Sequence, residues 1–139
     1  MSEADAGTDV NVAGKLGFKD GDLIQEFGYD EDVDFDLRED IEDLIGSALL
    51  DEDDQEIVDA AILWWRENDG DLVDALVDSL TTLGEDGVVW VLTPKSGRDG
   101  YVTPAEIQEA APTAGLHCTS SVAVSQDWSA TRLVFRKKK

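Results

Sequence analysis

The sequence predicts an α/β protein built as a three-layer Rossmann-like sandwich, with helices on both faces of a mostly parallel sheet. Three features of its 139 residues predict this class. Strand-like and helix-like patterns alternate along the chain. Residues 58–65 and 88–92 are almost continuously apolar, which is typical of parallel strands buried on both faces. Two later strand patterns, at 117–125 and 130–136, are separated only by a turn, so this C-terminal hairpin should supply one antiparallel strand.

The first half of the chain contains one predicted strand and one predicted helix. Residues 1–12 are polar and acidic and predict a disordered tail, so a single domain should span 13–136. The strand covers 22–27 and stops at Gly28. The helix is predicted from an apolar stripe with helical spacing, formed by Leu37, Ile41, Leu44, Ile45 and Ala48.

The second half carries clear start and stop signals. Asp71 can cap a helix that Gly84 ends. The apolar stripe of that helix is formed by Leu72, Leu76, Leu80 and Leu83. Strand 88–92 is closed by Thr93-Pro94-Lys95. Thr103-Pro104-Ala105-Glu106 is a capping box with proline at the first helical position, which predicts a helix start. The chain ends in a short basic tail, 137–139.

The charge of the chain is strongly acidic and unevenly placed. There are 32 Asp and Glu residues against 11 Lys and Arg, for a formal net charge of -21. Residues 1–60 hold 21 acidic and 3 basic side chains, whereas residues 61–139 hold 11 and 8. Such a surface repels nucleic acids and anionic membranes, so neither is a predicted partner. It suits a basic protein partner; the alternative is a solvated acidic surface that only maintains solubility.

The sequence predicts a cytoplasmic protein. The N-terminal residues lack the basic and apolar regions of a signal peptide. No apolar run approaches the roughly 20 residues of a membrane-spanning helix. Cys118 is the single cysteine, so the chain cannot form an intrachain disulfide.

No metal site is predicted. The alternating aspartates of residues 30–36 suggest a calcium loop, but counting from Asp30 puts Phe35 at the sixth position and Ile41 at the twelfth. An EF-hand loop needs glycine and glutamate there. The acidic run is better interpreted as a helix entry, where negative side chains favour the helix dipole and Asp34 or Asp36 serves as the cap.

Neither a cofactor site nor a catalytic site is predicted. The first strand is followed by one glycine, Gly28, and then by acids, whereas dinucleotide and methyl-donor sites use a glycine-rich turn that opens a helix. The chain has no phosphate-binding loop with the spacing of a nucleotide hydrolase. The only histidine, His117, adjoins Cys118 on a predicted strand, so the two side chains should point to opposite faces. The chain is therefore not expected to be an enzyme.

The best candidate binding site lies at the carboxyl ends of the strands, where open α/β sheets bind ligands. Arg66 follows the second strand, and Lys95 and Arg98 follow the third. These bases could hold an anionic group, or they could neutralise acids of the chain itself such as Asp30 and Glu67. Pro94 should direct Lys95 into the crevice beside Arg66, where the two would form its positive wall. The candidate residues for ligand or partner binding are Gly28, Tyr29, Trp65, Arg66, Thr93, Lys95, Arg98 and Trp128.

The tryptophans divide into two groups. Trp64, Trp65 and Trp90 lie in buried strands, with Trp64 and Trp65 on opposite faces, so core packing is expected for all three. Trp128 is assigned to the turn 126–129, where it either pins the hairpin or is exposed.

The sequence resembles a family of small acidic actinobacterial proteins of unknown function. The resemblance covers nearly everything after residue 13. The matching stretches are 15–19, 26–32, 36–38, 63–66, 70–76, 92–95, 110–116, 119–121 and 128–129. They include Glu26-Phe27-Gly28-Tyr29-Asp30-Glu31-Asp32 and Leu63-Trp64-Trp65-Arg66.

A wider likeness suggests how the strands are ordered. Residues 72–135 resemble the second half of a class I methyltransferase, which implies a five-stranded sheet ordered 1-2-3-5-4. The methyl-donor glycine loop of those enzymes is missing here, and fold does not imply function.

The sequence is compatible with two functions from different classes. The leading hypothesis is a non-enzymatic regulatory or adaptor protein that acts through protein–protein contacts. The alternative is a small-molecule or nucleotide-binding protein, a reduced methyltransferase relative without the methyl-donor loop. A third hypothesis, nucleic-acid mimicry, would require the acidic residues to form a regular stripe.

Overall fold

A computed structural model describes residues 12–67 and 69–135. The predicted tails, 1–12 and 137–139, lie outside the described residues except for Val12, which begins the first helix. In chain order the elements are α1 (Val12–Lys15), β1 (Ile24–Phe27), α2 (Phe35–Ile45), β2 (Val58–Trp64), α3 (Leu72–Ser79), β3 (Leu83–Pro94), α4 (Pro104–Thr113), β4 (Leu116–Ala123) and β5 (Trp128–Phe135).

The five strands form one sheet ordered β1-β2-β3-β5-β4, which confirms the predicted fold class and strand order. β1 pairs in parallel with β2, and β2 with β3. β5 runs antiparallel to both β3 and β4, so the C-terminal hairpin supplies the single antiparallel strand. Beyond β1, Leu50 makes an isolated parallel bridge to Gln25. After β1 the chain passes through α2 to Leu50 on one side of β1, and it then crosses to β2 on the other side. The direction of winding therefore reverses at β1.

Each face of the sheet carries its own apolar core. Leu37, Ile41 and Ile45 of α2 pack with Trp64 and Trp90 on one face. On the other face, α3 and α4 pack over the neighbouring side chains of the same strands, among them Phe27, Leu63, Trp65, Val91 and Leu133. The predicted placement of Trp64 and Trp65 on opposite faces is confirmed.

The predicted helix starts are also confirmed. The side chain of Asp34 accepts a hydrogen bond from the Leu37 amide, and Asp71 caps α3 in the same way through the Val73 amide. Thr103 caps α4, with Pro104 at its first turn. Each cap satisfies one of the amide groups that the first helical turn leaves without a partner.

Three local assignments made from the sequence are wrong. Gly84 does not end α3, because the helix stops at Ser79 and Leu83 already pairs with Val58 at the start of β3. Ala48 is exposed, because α2 ends at Ile45 and Gly46 turns the chain with a φ of 85°. Trp128 is not in a turn: it opens β5 opposite Pro94, and it is buried.

Across the described ranges, every helix is too short or too polar to cross a membrane.

Candidate functional site

The carboxyl ends of β1 and β2 approach each other closely at Gly28. This glycine ends β1 with a φ of 76°, in the left-handed region that side-chain-bearing residues rarely adopt. A Cβ atom placed on it would overlap the carbonyl oxygen of Trp64, the last residue of β2. Glycine is therefore required here for both its backbone angle and its lack of a side chain.

The side chain of Arg66 fills the crevice between these two strand ends. Its Nη1 atom donates to the carbonyl oxygens of Gly28 at 2.8 Å and Trp64 at 3.2 Å. Its Nε atom donates to Asp32 at 3.0 Å, and Nη1 also reaches Asp69 at 3.2 Å. Arg66 is 9% exposed. One buried guanidinium thus joins both strand ends to the two loops that follow them.

The ion pair between Arg66 and Asp32 shifts the pKa of both side chains. The hydrogen bond from Arg66 holds the pKa of Asp32 below its ordinary value of 3.8. Burial acts to lower the pKa of Arg66, but the hydrogen bonds with Asp32 and Asp69 outweigh it and keep that pKa above its ordinary value. Arg66 is therefore a permanent cation held inside the crevice.

Aromatic and charged side chains continue outward from Arg66 in one connected series. Arg66 lies over the Trp128 ring at 5.5 Å, and Trp128 meets Trp64 edge to face with centroids 4.9 Å apart. The indole Nε1 of Trp64 donates to buried Glu26 at 2.9 Å. Arg38 binds Glu26 through two donors, at 2.6 and 2.9 Å. Trp128 therefore packs inside the molecule, and the buried Glu26 carboxylate is fully paired.

This series ends at two exposed aromatic rings. Tyr29 and Phe35 are each 50% exposed, with ring centroids 6.1 Å apart and nearly perpendicular planes. Arg38 stacks on the Tyr29 ring at 4.9 Å. Exposed acids surround the two rings in sequence, among them Asp30, Glu31, Asp32 and Asp36. We call this surface the Tyr29–Phe35 patch.

A cleft of about 510 Å³ opens beside Arg66 on the α3 side of the sheet. Its floor contains the buried side chains of Phe27, Leu63 and Trp65. Its walls carry five acidic residues, Asp30, Glu52, Asp54, Asp69 and Asp78. Arg66 is the single basic residue among the described residues that line it. The cleft is therefore negative overall and poorly suited to phosphate.

The predicted site residues do not form one site. Gly28, Tyr29, Trp65 and Arg66 line the cleft, as expected of the strand ends. Thr93 and Lys95 instead line a separate cavity of about 470 Å³. The expectation that Arg66 and Lys95 form one positive wall is not met, because Pro94 pairs with Trp128 and the Lys95 amide donates to Asp127, which draws residue 95 toward β5.

Two of the three predicted bases neutralise acids of the chain itself, as the alternative interpretation held. Arg66 pairs with Asp32 and Asp69 rather than with Asp30 and Glu67. Arg98 pairs with Asp127 at 3.3 Å, on the surface. Sequence reasoning missed Phe35 as a surface residue. The sequence did contain a signal for its exposure: Phe35 is a large apolar residue between Asp34 and Asp36, and it lies outside the apolar stripe of α2.

Potential metal ligands do not cluster in the part of the chain that the structure describes. Within 12–67 and 69–135, no three His, Cys, Asp or Glu side chains are grouped as metal ligands. His117 is exposed. Cys118 is half-buried on the other side of β4, and burial raises the pKa of its thiol.

The acids of α2 repel one another, and Asp40 shows the effect most clearly. Burial, and then the charges of Asp36, Asp43, Glu39 and Asp34, raise the pKa of Asp40 above 3.8. A carboxyl whose pKa is raised by folding destabilises the native state at any pH where it is ionised.

We therefore expect Asp40→Asn to stabilise the protein at pH 7 by about 0.5 kcal/mol, the size of a like-charge pair on a helix. The gain should disappear near pH 3, where Asp40 is already protonated in the wild type. Urea unfolding at both pH values measures it. Exposed Asp43→Asn is the control, with a smaller expected gain; a loss of stability in Asp40→Asn at pH 7 would contradict the repulsion.

Comparison with known proteins identifies relatives of the chain. A family model described as a protein of unknown function (DUF3052) matches residues 13–137. An uncharacterized protein of Mycobacterium tuberculosis is 57% identical over 129 residues, which cover 93% of this chain and 81% of that protein. The predicted resemblance to small actinobacterial proteins is confirmed.

Solved methyltransferase structures share the fold. The CcbJ methyltransferase from Streptomyces caelestis matches with a TM-score of 0.59 and 11% identity, covering 93% of this chain and 90% of that one. An O-methyltransferase (NcsB1) from neocarzinostatin biosynthesis, in complex with S-adenosyl-L-homocysteine, matches with a TM-score of 0.52 and 18% identity. That match covers 65% of this chain and only 34% of the methyltransferase. At these identities the likeness shows the fold alone.

Proposed function

The chain belongs to the DUF3052 family, and we propose that it is a non-enzymatic regulatory or adaptor protein that acts through protein–protein contacts. Its partner is a basic protein, which the net charge of -21 would attract.

The observation that carries the proposal is the position of Arg66. Doubly wound α/β folds bind ligands where the winding of the sheet reverses, outside the carboxyl ends of the strands. In this chain the winding reverses at β1, and the Arg66 guanidinium occupies the gap between the ends of β1 and β2. Ligand entry there would require breaking hydrogen bonds to two carbonyl groups and two carboxylates. Because the guanidinium fills this gap, the geometry favours action through the surface.

The Tyr29–Phe35 patch supplies the contact surface in this proposal. Tyrosine is enriched among the residues that carry most of the binding energy of protein interfaces, and phenylalanine is enriched in interface cores. Both rings are half exposed although they belong to the segment that Arg66 and Arg38 hold in place, so they are pre-positioned. The surrounding acids would attract and orient a basic segment whose apolar side chain packs between the rings.

Binding to an immobilised full-length chain tests the patch. We expect a basic protein from an extract of the source organism to be retained by the wild type and released by about 0.5 M salt, because screening weakens charge attraction. The double substitution Tyr29→Ser with Phe35→Ser should reduce its retention about tenfold or more, as expected when an aromatic anchor is lost.

The matched control is Val77→Ser, which removes an apolar side chain that is 49% exposed on α3. Retention by this variant should equal that of the wild type. A partner retained equally by the double variant would contradict the patch, whereas one lost equally in Val77→Ser would show that general stickiness was measured.

The alternative function is small-molecule or nucleotide binding in the cleft beside Arg66. The methyltransferase likeness of the fold and the cleft volume of about 510 Å³ support it, since ligand sites commonly have 300–1,000 Å³. The five acidic residues of the cleft walls weigh against an anionic ligand such as a nucleotide.

A further inference from the structure

The cavity that Lys95 lines has a chemistry unlike the rest of the molecule. It encloses about 470 Å³ between β3, β5 and β4 on one side and the start of α4 with the preceding loop on the other. We call it the hydroxyl cavity. Its lining combines apolar side chains with polar ones, among them Thr93, Lys95, Ser121, Ser129 and Thr131. These residues include one cation and no acid, in a chain with 32 acidic residues.

The strand register brings the hydroxyl groups together. Thr93 of β3 lies opposite Ser129 of β5, and Thr131 of β5 lies opposite Ser121 of β4. Side chains of directly opposed residues project from the same face of a sheet. All four therefore lie on one face, on which the apolar core of α3 and α4 also packs. The sheet thus places a row of small polar groups next to that core.

The hydroxyl of Thr93 is buried without a partner. Thr93 is 4% exposed, and within the described ranges its side chain makes no hydrogen bond. The same ranges contain no side-chain hydrogen bond from Ser129, Ser121 or Thr131. Buried polar groups in proteins nearly always have a partner. The buried hydroxyl of Thr93 therefore needs a partner inside the cavity, and the hydroxyls of Ser129, Thr131 and exposed Ser121 are free to donate beside it.

Lys95 brings the positive charge. No carboxylate among the described residues lies within ion-pair distance of its ammonium group, and the nearby Asp127 is already paired with Arg98. The side chain is partly buried at the cavity wall. In a molecule where Arg38 and Arg66 are bound to acids, Lys95 keeps its charge available for a ligand.

We propose that the hydroxyl cavity binds a small phosphorylated, polyhydroxylated molecule of the sugar-phosphate class. Lys95 pairs with the phosphate, and the hydroxyls of Thr93, Ser129 and Thr131 bind its oxygens or the sugar hydroxyls. Gln108 and Tyr101 add polar contacts at the α4 side. The volume suits a ligand larger than free phosphate. This site is separate from the Tyr29–Phe35 patch and adds a ligand to the proposed contact function.

The test is a titration of the full-length, nitrogen-15-labelled chain with ribose 5-phosphate, followed by amide chemical shifts. At about 0.15 M salt, long-range repulsion by the acidic surface is largely screened. We expect saturable shifts at Thr93, Lys95, Ser129 and Thr131. Ribose and inorganic phosphate should each bind more weakly, because each offers only part of the contacts. No saturable shift with about 10 mM ribose 5-phosphate would overturn the proposal.

Two charge-matched variants make the test specific. Lys95→Gln should weaken the binding of ribose 5-phosphate about tenfold or more, the usual effect of losing a hydrogen bond to a charged group. Lys19→Gln removes the same charge from a side chain that is 80% exposed and should leave binding unchanged. Equal binding by Lys95→Gln, equal binding of ribose and ribose 5-phosphate, or shifts centred on Arg66 or Arg98 would each overturn the proposal. None of these outcomes involves the protein partner.

Discussion

Replacing Gly28 with alanine is expected to destabilise the protein by about 3 kcal/mol or more. A side-chain-bearing residue at a φ of 76° costs about 1–2 kcal/mol by itself. The added methyl group would also overlap the Trp64 carbonyl oxygen, and that group is backbone in a central strand that cannot move aside cheaply. Urea unfolding of the wild type and the variant measures the difference.

Gly97→Ala is the matched control for this prediction. Gly97 has a φ of 92°, but a Cβ atom placed on it would meet nothing within 4 Å. Its replacement should therefore cost only the backbone strain, about 1–2 kcal/mol. If Gly28→Ala lowers the free energy of unfolding no more than Gly97→Ala does, then the ends of β1 and β2 do not approach each other closely at Gly28.

Replacing Arg66 with methionine is expected to destabilise the protein by about 2–3 kcal/mol at pH 7. The substitution removes donors from the carbonyls of Gly28 and Trp64 and leaves Asp32 and Asp69 without their cation. Breaking a buried pair by removing one partner can cost about 3–5 kcal/mol. The expected loss is smaller because the side chains of Asp32 and Asp69 are 48% and 33% exposed, so water can replace part of the interaction.

The size of this effect should depend on pH. Arg66 lowers the pKa of Asp32, so the stability that the pair contributes is present above the ordinary Asp pKa of 3.8 and is lost as the pH falls below it. The difference between wild type and Arg66→Met should therefore shrink between pH 5 and about pH 2. Arg98→Met, which breaks a pair exposed on both sides, should cost less than about 1 kcal/mol. Equal losses in the two variants would show that Arg66 does not hold the crevice together.

Local signals in the sequence predicted the α/β class and most of the individual helices and strands. Apolar runs identified β2 and the second half of β3, and capping residues identified the starts of α2, α3 and α4. The strand order came from the wider likeness of residues 72–135 to class I methyltransferases. The early start of β3 could not be predicted, because Leu83 fits the helical stripe of α3 equally well and only its pairing with Val58 decides the matter. Trp128 was misplaced for the same reason: its strand partner, Pro94, is distant in sequence.

The site was predicted only in part. The end of β1 and the end of β2 follow from the parallel sheet, so Gly28 and Arg66 were correctly placed together. The direction of Lys95 depends on the hydrogen bond between its amide and Asp127, a contact between two loops that no local pattern encodes. The partners of Arg66 were likewise unpredictable. Asp30 and Asp32 lie only two residues apart, as do Glu67 and Asp69, and only the folded loops select between the members of each pair.

Arg66 occupies the gap between the ends of β1 and β2, where this fold binds ligands, and the proposed function therefore places the action of the protein at its surface. Calorimetric titration of S-adenosylmethionine and of adenosine into the full-length chain tests whether small molecules are excluded from that gap. We predict no saturable heat with either compound up to about 1 mM, a range that would include even weak specific binding. The contrary result is saturable binding of one molecule per chain in that range, weakened by Trp65→Ala in the cleft but not by Lys95→Gln. It would show that ligands enter beside Arg66 and would favour the small-molecule function instead.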